Sequence, residues 1–279
     1  MAINTEILGE EMVSEPFEYD NDTVILYALG IGAGTSEIDF VYEKELKVFP
    51  TFAVIPGLGP SLFTFVEKAN INLFALLHGE QKITLHKPIP PSGTILNTAV
   101  CTAIYDKGDK GAHLILDSKA TDGNGELLFE TRALLVDRSG GNFGGERGPK
   151  AEKFDPPEGK APDFTQEYTP SADQALLYRL SGDKNPLHID PEFAKMGGFD
   201  VPILHGLCFY GYAGRAILHN VCGSDPAKLK SFAVRFKGVV FPGETLITEG
   251  WKVDGNKYII TMKTQDGRVV LGNAVAEIA

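Results

Sequence analysis

The chain has 279 residues, 43% of them apolar and 23% charged, with a formal net charge of −11. This is ordinary globular composition, long enough for one large domain or two small ones. The acidic balance argues against general nucleic-acid binding, which needs a basic footprint, but a local cluster of Lys and Arg could still hold an anionic ligand.

In chain order, residues 2–12 carry three acids and no basic segment, unlike a secretory signal. Residues 61–77 place apolar side chains at helical spacing, with Ser61 as N-cap after Pro60, and predict a helix. KPIPPSGT follows at 87–94, then β-rich runs with an Asp122-Gly123 hairpin signal. Residues 138–164 are rich in Gly, Pro and scattered charge. They predict a connector between two units, 1–137 and 165–279. The second unit repeats the order of the first, with KGVVFPGET at 237–245, β-rich runs and an Asp266-Gly267 signal. The halves therefore read as diverged copies. Residues 206–219, charged only at Arg215, predict a helix buried on nearly all sides. No apolar run approaches the roughly 20 residues of a membrane span. Cys101, Cys208 and Cys222 lack metal-clip or redox spacing and read as free thiols. The chain ends Ala276-Glu277-Ile278-Ala279, without a Ser-Lys-Leu type address. Pattern alone gives an α+β fold, with a long buried helix cradled by an antiparallel sheet in each half.

The stretch YRLSGDKNPLHIDP at 178–191 carries the chemistry. Ser181-Gly182-Asp183 and Asn185-Pro186 are turn material, and Pro186 pushes Asn185 away from helical ψ. Asp183 and His188 stand five apart, which on a continuous helix is about 140° around the axis. The Asn-Pro break instead lets the chain turn both side chains toward one point. Asp190-Pro191 reads as an N-cap with Pro at the first helical position, opening a short helix over 191–196. Asp in such a turn is commonly a self-capping residue, with a nearby His as its partner. The sharper reading is acid–base work on a shared water.

Tyr178, Leu180, Ser181, Gly182, Asp183, Asn185, Pro186, Leu187 and His188 closely resemble the signature of hydratase 2 enzymes in the MaoC-like hotdog superfamily. ILYALGIGAG (25–34), LLHGEQ (76–81), YDKG (105–108), PILHGL (202–207) and RFKGVVFPGET (235–245) are similar to the hydratase 2 part of type 2 multifunctional enzymes. The resemblance covers nearly the whole chain and implies a double hotdog fold in which only the second repeat keeps the catalytic loop. It implies hydration of trans-2-enoyl-CoA to a (3R)-3-hydroxyacyl-CoA, without metal or cofactor. Asp183 is then the base, His188 its partner on the water, Asn185 the group that holds them, and the Gly206 N–H the donor to the thioester oxygen. His78, Gly79, Lys107 and Phe236 become substrate contacts, Lys107 to a CoA phosphate and Phe236 along the pantetheine or adenine path. His205 is expected to order the turn into the 206–219 helix, and His219 to favour its negative end.

Gly57, Gly59 and Pro60 before the first-half helix, with Asn70 and Asn72 inside it, weaken it. A looser first repeat would leave room for medium and long acyl tails. The family also implies a peroxisomal setting in β-oxidation, a longer chain with dehydrogenase domains, and a homodimer. Alternatives left open are a hotdog dehydratase, a thioesterase, or a non-enzymatic acyl-CoA binding module.

Overall fold

The computed structural model describes residues 3–73 and 75–279. The first half contains β1 (Glu11–Val13), β2 (Phe17–Tyr19), α1 (Asn21–Gly30), α2 (Val54–Lys68), β3 (Leu76–Leu85), β4 (Gly93–Asp106), β5 (Ala112–Asp122) and β6 (Leu127–Asp137). The second contains β7 (Phe164–Tyr168), α3 (Gln174–Tyr178), α4 (Pro191–Met196), α5 (Gly206–Val221), β8 (Leu229–Phe236), β9 (Leu246–Asp254), β10 (Lys257–Thr264) and β11 (Val269–Ile278).

Among the described residues, the strands join one 11-stranded sheet in the order β1-β4-β5-β6-β3-β8-β11-β10-β9-β7, with β2 also on β4. The seam is the antiparallel pair β3–β8, Glu80–Thr84 against Ser231–Arg235. Outward from the seam, β6, β5, β4 and β2 on one side answer β11, β10, β9 and β7 on the other. The duplication expected from turn chemistry is thus repeated in the topology. The strands form because inward positions are apolar at period two, as in the alternating burial of β5. Asp122-Gly123 and Asp266-Gly267 lie in the β5–β6 and β10–β11 turns.

α5 is the central helix of the second half, buried continuously from Cys208 to Leu218. Its small residues let neighbours approach closely. A Cβ on Gly211 would stand 2.3 Å from Ile31, and one on Gly214 would stand 2.5 Å from Thr51. All three cysteines are buried and free.

The first-half helix departs from expectation. It runs 54–68, so Ser61 is buried inside it rather than capping it, and Leu76–Leu77 open β3. Phe74, within the expected 61–77 span, lies outside the described residues. Pro60 suggests a start further on, at Ser61, since Pro removes a helical donor. The Gly57 carbonyl accepts from Asn97 Nδ2 at 3.1 Å and Ser118 Oγ at 2.8 Å, so side chains of the sheet hold this part of the helix. Gly57, Gly59 and Pro60 sit within the helix, and Asn70 and Asn72 follow it.

Residues 138–163 contain no helix or strand, yet they are pinned. The buried Asp106 carboxylate accepts from the amides of Gly108, Asn142 and Gly144 at 2.7–2.8 Å. Asn273 accepts from Phe154 N at 2.8 Å and donates to Glu152 O at 3.0 Å.

A buried ion network ties α5 to the segment after α1. Glu37 accepts from Arg215 Nε at 3.1 Å, from Arg215 Nη2, and from His219 Nε2 at 2.6 Å. Arg215 also donates to Ile31 O at 2.8 Å and lies 4.3 Å over the Tyr168 ring. His219 therefore answers a carboxylate as well as the helix end. Burial pushes the Glu37 carboxyl up, but the His219 and Arg215 hydrogen bonds and charges outweigh it and hold it below its usual range. Among the described residues no helix is long and apolar enough to cross a membrane.

Candidate active site

The loop after α3 turns tightly. Arg179–Ser181 makes a single 3-10 turn, and Gly182 at φ +136 reverses the chain, a conformation side chains rarely adopt. Asn185 is extended at ψ 125, as the following Pro186 requires. Its backbone N–H donates to Asp183 Oδ1 at 3.1 Å, and its side-chain oxygen accepts from Leu187 N at 3.0 Å. Asn185 thus shapes the loop that presents the pair. Pro186–His188 forms the next 3-10 turn, and α4 begins with Asp190 accepting from Glu192 N at 2.9 Å.

This loop brings His188 Nε2 to 3.9 Å from Asp183 Oδ2, with the His188 side chain 9% exposed and Asp183 48%. His188 Nδ1 lies 2.9 Å from Ile203 O. A carbonyl can only accept, so Nδ1 carries the hydrogen and Nε2 presents its lone pair toward Asp183. The gap exceeds a direct hydrogen bond and fits one water shared between the two groups. Burial lowers the His188 pKa from 6.5, with the Asp183 charge opposing it. The imidazole is therefore held neutral, able to accept a proton.

Gly206 is the first residue of α5. N–H groups in a helix's first turn lack intrahelical acceptors and carry the positive end of its dipole. A Cβ here would stand 3.3 Å from the Phe236 ring, so Phe236 flanks this amide. His78 packs on Phe236 with ring centroids 5.0 Å apart and donates through Nε2 to Glu80 O at 3.1 Å. Burial lowers its pKa to about 4, and the Asp183 carboxylate is near enough to oppose the shift. Gly79 forms a β-bulge, where the register with β6 skips between His78 and Glu80. A Cβ there would stand 2.6 Å from Leu134 Cδ2. Pairwise contacts thus run from His188 to Asp183, from Asp183 to His78, and from His78 through Phe236 to Gly206. Lys107 stands apart in the β4–β5 turn, where it bonds the Arg147 carbonyl and lies 5.2 Å over the Tyr105 ring.

Sequence reasoning assigned His205 only to the turn. Its buried ring stacks on His188 with centroids 3.7 Å apart, and its Nε2 donates to the Asp183 carbonyl at 3.1 Å. Tyr178 also packs against it, with ring centroids 5.0 Å apart. The one sequence signal was the His-Gly pair that opens a helix. Asp183, His188 and His205 each offer one ligand atom within 4.8 Å of the others, the grouping among the described residues that could hold a metal. A cation there would compete with protons for the same lone pairs.

A groove of about 550 Å³ lies beside the loop, with Phe17, Leu26, Phe52, Ile55 and Leu180 as apolar lining. Glu18, Asp22 and Lys184 also border it.

Two family models match the chain. That for the MFE-2 hydratase 2 N-terminal domain covers residues 17–138, and that for the MaoC like domain covers 153–274. A probable enoyl-CoA hydratase 2 of Dictyostelium discoideum is 41% identical, covering 95% of this chain and 93% of the relative. The peroxisomal multifunctional enzyme type 2 of Drosophila melanogaster is 38% identical over 97% of this chain, which spans only 47% of that enzyme. A 3-hydroxyacyl-thioester dehydratase Y of Mycobacterium tuberculosis is 41% identical, covering 99% of each. The crystal structure of a MaoC-like dehydratase from Phytophthora capsici superposes with a TM-score of 0.87 at 32% identity, covering 99% of each chain. A M. tuberculosis protein described as a double hotdog fold matches with a TM-score of 0.63 at 12% identity, covering 98% of this chain and 96% of that one. That likeness bears on fold alone.

Proposed function

The chain belongs to the MaoC-like, hydratase 2 family, and from that membership and the site geometry we propose that it is an (R)-specific enoyl-CoA hydratase. The observation that carries the reading is the water-wide gap between the Asp183 carboxylate and the His188 lone pair. A water held there loses a proton to the pair as its oxygen bonds to Cβ of a trans-2-enoyl thioester. The electron pair of the double bond moves toward the thioester oxygen, where the Gly206 N–H stabilises the charge. The proton returns from the pair to Cα, completing a (3R)-3-hydroxyacyl thioester. Base and acid can each supply about 10²–10⁴ in rate, and one oxyanion donor about 3 kcal/mol.

The groove beside the loop suits the acyl end. Its apolar lining accepts hydrocarbon, while Glu18 and Asp22 repel CoA phosphates. Medium and long chains are therefore substrates in this proposal. The rate should persist beyond ten carbons; a sharp optimum at four with nothing beyond ten would exclude this use of the groove. His78, Gly79 and Phe236 would line the thioester side and Lys107 would meet a CoA phosphate. Relatives named peroxisomal support a peroxisomal setting in fatty-acid β-oxidation, and long multifunctional relatives support a place beside dehydrogenase domains. A homodimer completes the proposal.

The similarity to a hydroxyacyl-thioester dehydratase favours a second reading, the same chemistry run backward. Mixing the protein with crotonyl-CoA and decenoyl-CoA should consume the enoyl absorbance without releasing thiol. The product should give no NADH with an L-3-hydroxyacyl-CoA dehydrogenase. Free thiol would indicate a thioesterase, vigorous NADH formation the opposite stereochemistry, and turnover confined to carrier-protein thioesters the dehydratase.

A further inference from the structure

His205 touches both Asp183 and His188 and directly precedes Gly206, without facing the water gap through a free donor. Its Nε2–H is held by the Asp183 carbonyl at 3.1 Å. Its ring packs against Tyr178 at 5.0 Å and against His188 at 3.7 Å, inclined to His188 by 29°. It is the N-cap residue of α5, directly preceding Gly206. Ile203, whose carbonyl sets the His188 tautomer, lies two residues before it.

We infer that His205 is a positioning residue for this reaction, which fixes the Asp183–His188 gap at the width of one water and registers that gap against the Gly206 amide. The inference rests on the hydratase reading above. The mechanics are direct. The two catalytic side chains lie on one irregular loop, which has no helix or strand to hold the Asp183 backbone. The bond from His205 anchors that backbone at the carbonyl of the base itself. The stack limits swing of the His188 ring, which is otherwise held through its Nδ1 bond to the Ile203 carbonyl. Both anchors belong to a residue joined covalently to the oxyanion donor, so the base, its partner and the donor share one reference point.

A proton-carrying role is disfavoured by the same surroundings. Burial, then the neighbouring His188, holds the His205 imidazole well below the ordinary histidine range. Its Nδ1 is buried without a protein partner, so no proton path leads from it through the described side chains.

Two substitutions separate the anchors. His205→Phe keeps a ring against His188 and loses the donor. His205→Gln keeps a donor for the Asp183 carbonyl and loses the stack. Both are compared with wild type and Asp183→Asn in full-length protein, with kcat scaled to the folded fraction from circular dichroism. A misplacement on the order of 1 Å costs about 100-fold. The expected result is a fall in kcat of about 10- to 100-fold in each variant, with KM within about twofold and an unmoved midpoint in the pH profile. Unchanged kcat per folded protein in both variants would overturn the inference. A moved pH midpoint, with kcat as low as in Asp183→Asn, would overturn it in favour of a catalytic His205. The control stands separately: wild-type hydration by Asp183→Asn would remove the hydratase assignment of the pair, whatever the His205 variants do.

Discussion

His188 Nε2 faces Asp183 Oδ2 across 3.9 Å with its lone pair forward, because its Nδ1–H is held by the Ile203 carbonyl. A base and a neutral imidazole at this spacing share a water without quenching each other in a direct ion pair. The pair's protonation states follow from this arrangement, and so does its pH dependence.

The free enzyme needs neutral His188, whose pKa burial has lowered from 6.5. As pH falls, activity should hold to the ordinary histidine midpoint and decline only below it. The acid limb of kcat/KM, which reports groups of the free enzyme, should therefore have its midpoint below 6.5. A histidine midpoint above that value would mean that His188 works as a cation in the free enzyme.

Stability should move the same way. His78, His188 and His205 are each harder to protonate folded than unfolded, His78 to about 4. Below 6.5 the unfolded chain thus binds more protons, and stability falls as pH drops through the window toward about 4. The urea midpoint should be lower at about pH 5 than at about pH 7. Equal midpoints would contradict the burial of these rings as neutral groups.

The Gly206 amide can be removed while its helix is kept. Position 206 is the first helical residue and His205 is extended at ψ 134, both compatible with Pro at 206. Gly206→Ala and Gly206→Pro both add carbon toward Phe236, where a Cβ would stand 3.3 Å from the ring. Only Pro lacks the N–H. Relative to Gly206→Ala, Gly206→Pro should lose about 100-fold in kcat, the usual cost of one oxyanion donor. Equal rates in the two variants would dismiss this amide from the chemistry.

Arg215 and Glu37 have side chains only 4% and 9% exposed. Removing one partner leaves a buried charge, so Arg215→Met should cost about 3–5 kcal/mol by urea unfolding. Pairing it with Glu37→Gln should recover much of that loss. A single variant as stable as wild type would show that His219 alone suffices for Glu37.

The sequence made Asp183 and His188 legible because the Asn185-Pro186 break lies between them and its backbone consequence is local. α5 and α4 were legible for the same reason, through an uncharged run and an Asp-Pro cap. His205 was not, because its stack on His188 depends on where α5 meets a loop many residues earlier in the chain. The Glu37 network was hidden in the same way, since Glu37 and Arg215 lie 178 residues apart. The start of α2 was misplaced because Pro and Gly punctuate helices locally. Asn97 and Ser118 hold the Gly57 carbonyl from the sheet, and only tertiary packing reveals them.

The most direct test of the central claim is the hydration rate of Asp183→Asn, followed by the loss of enoyl absorbance from decenoyl-CoA. The substitution keeps the shape of the loop and removes the base. The account predicts retained acyl-CoA binding with kcat lower by about 10²–10⁴. Hydration at the wild-type rate would contradict it.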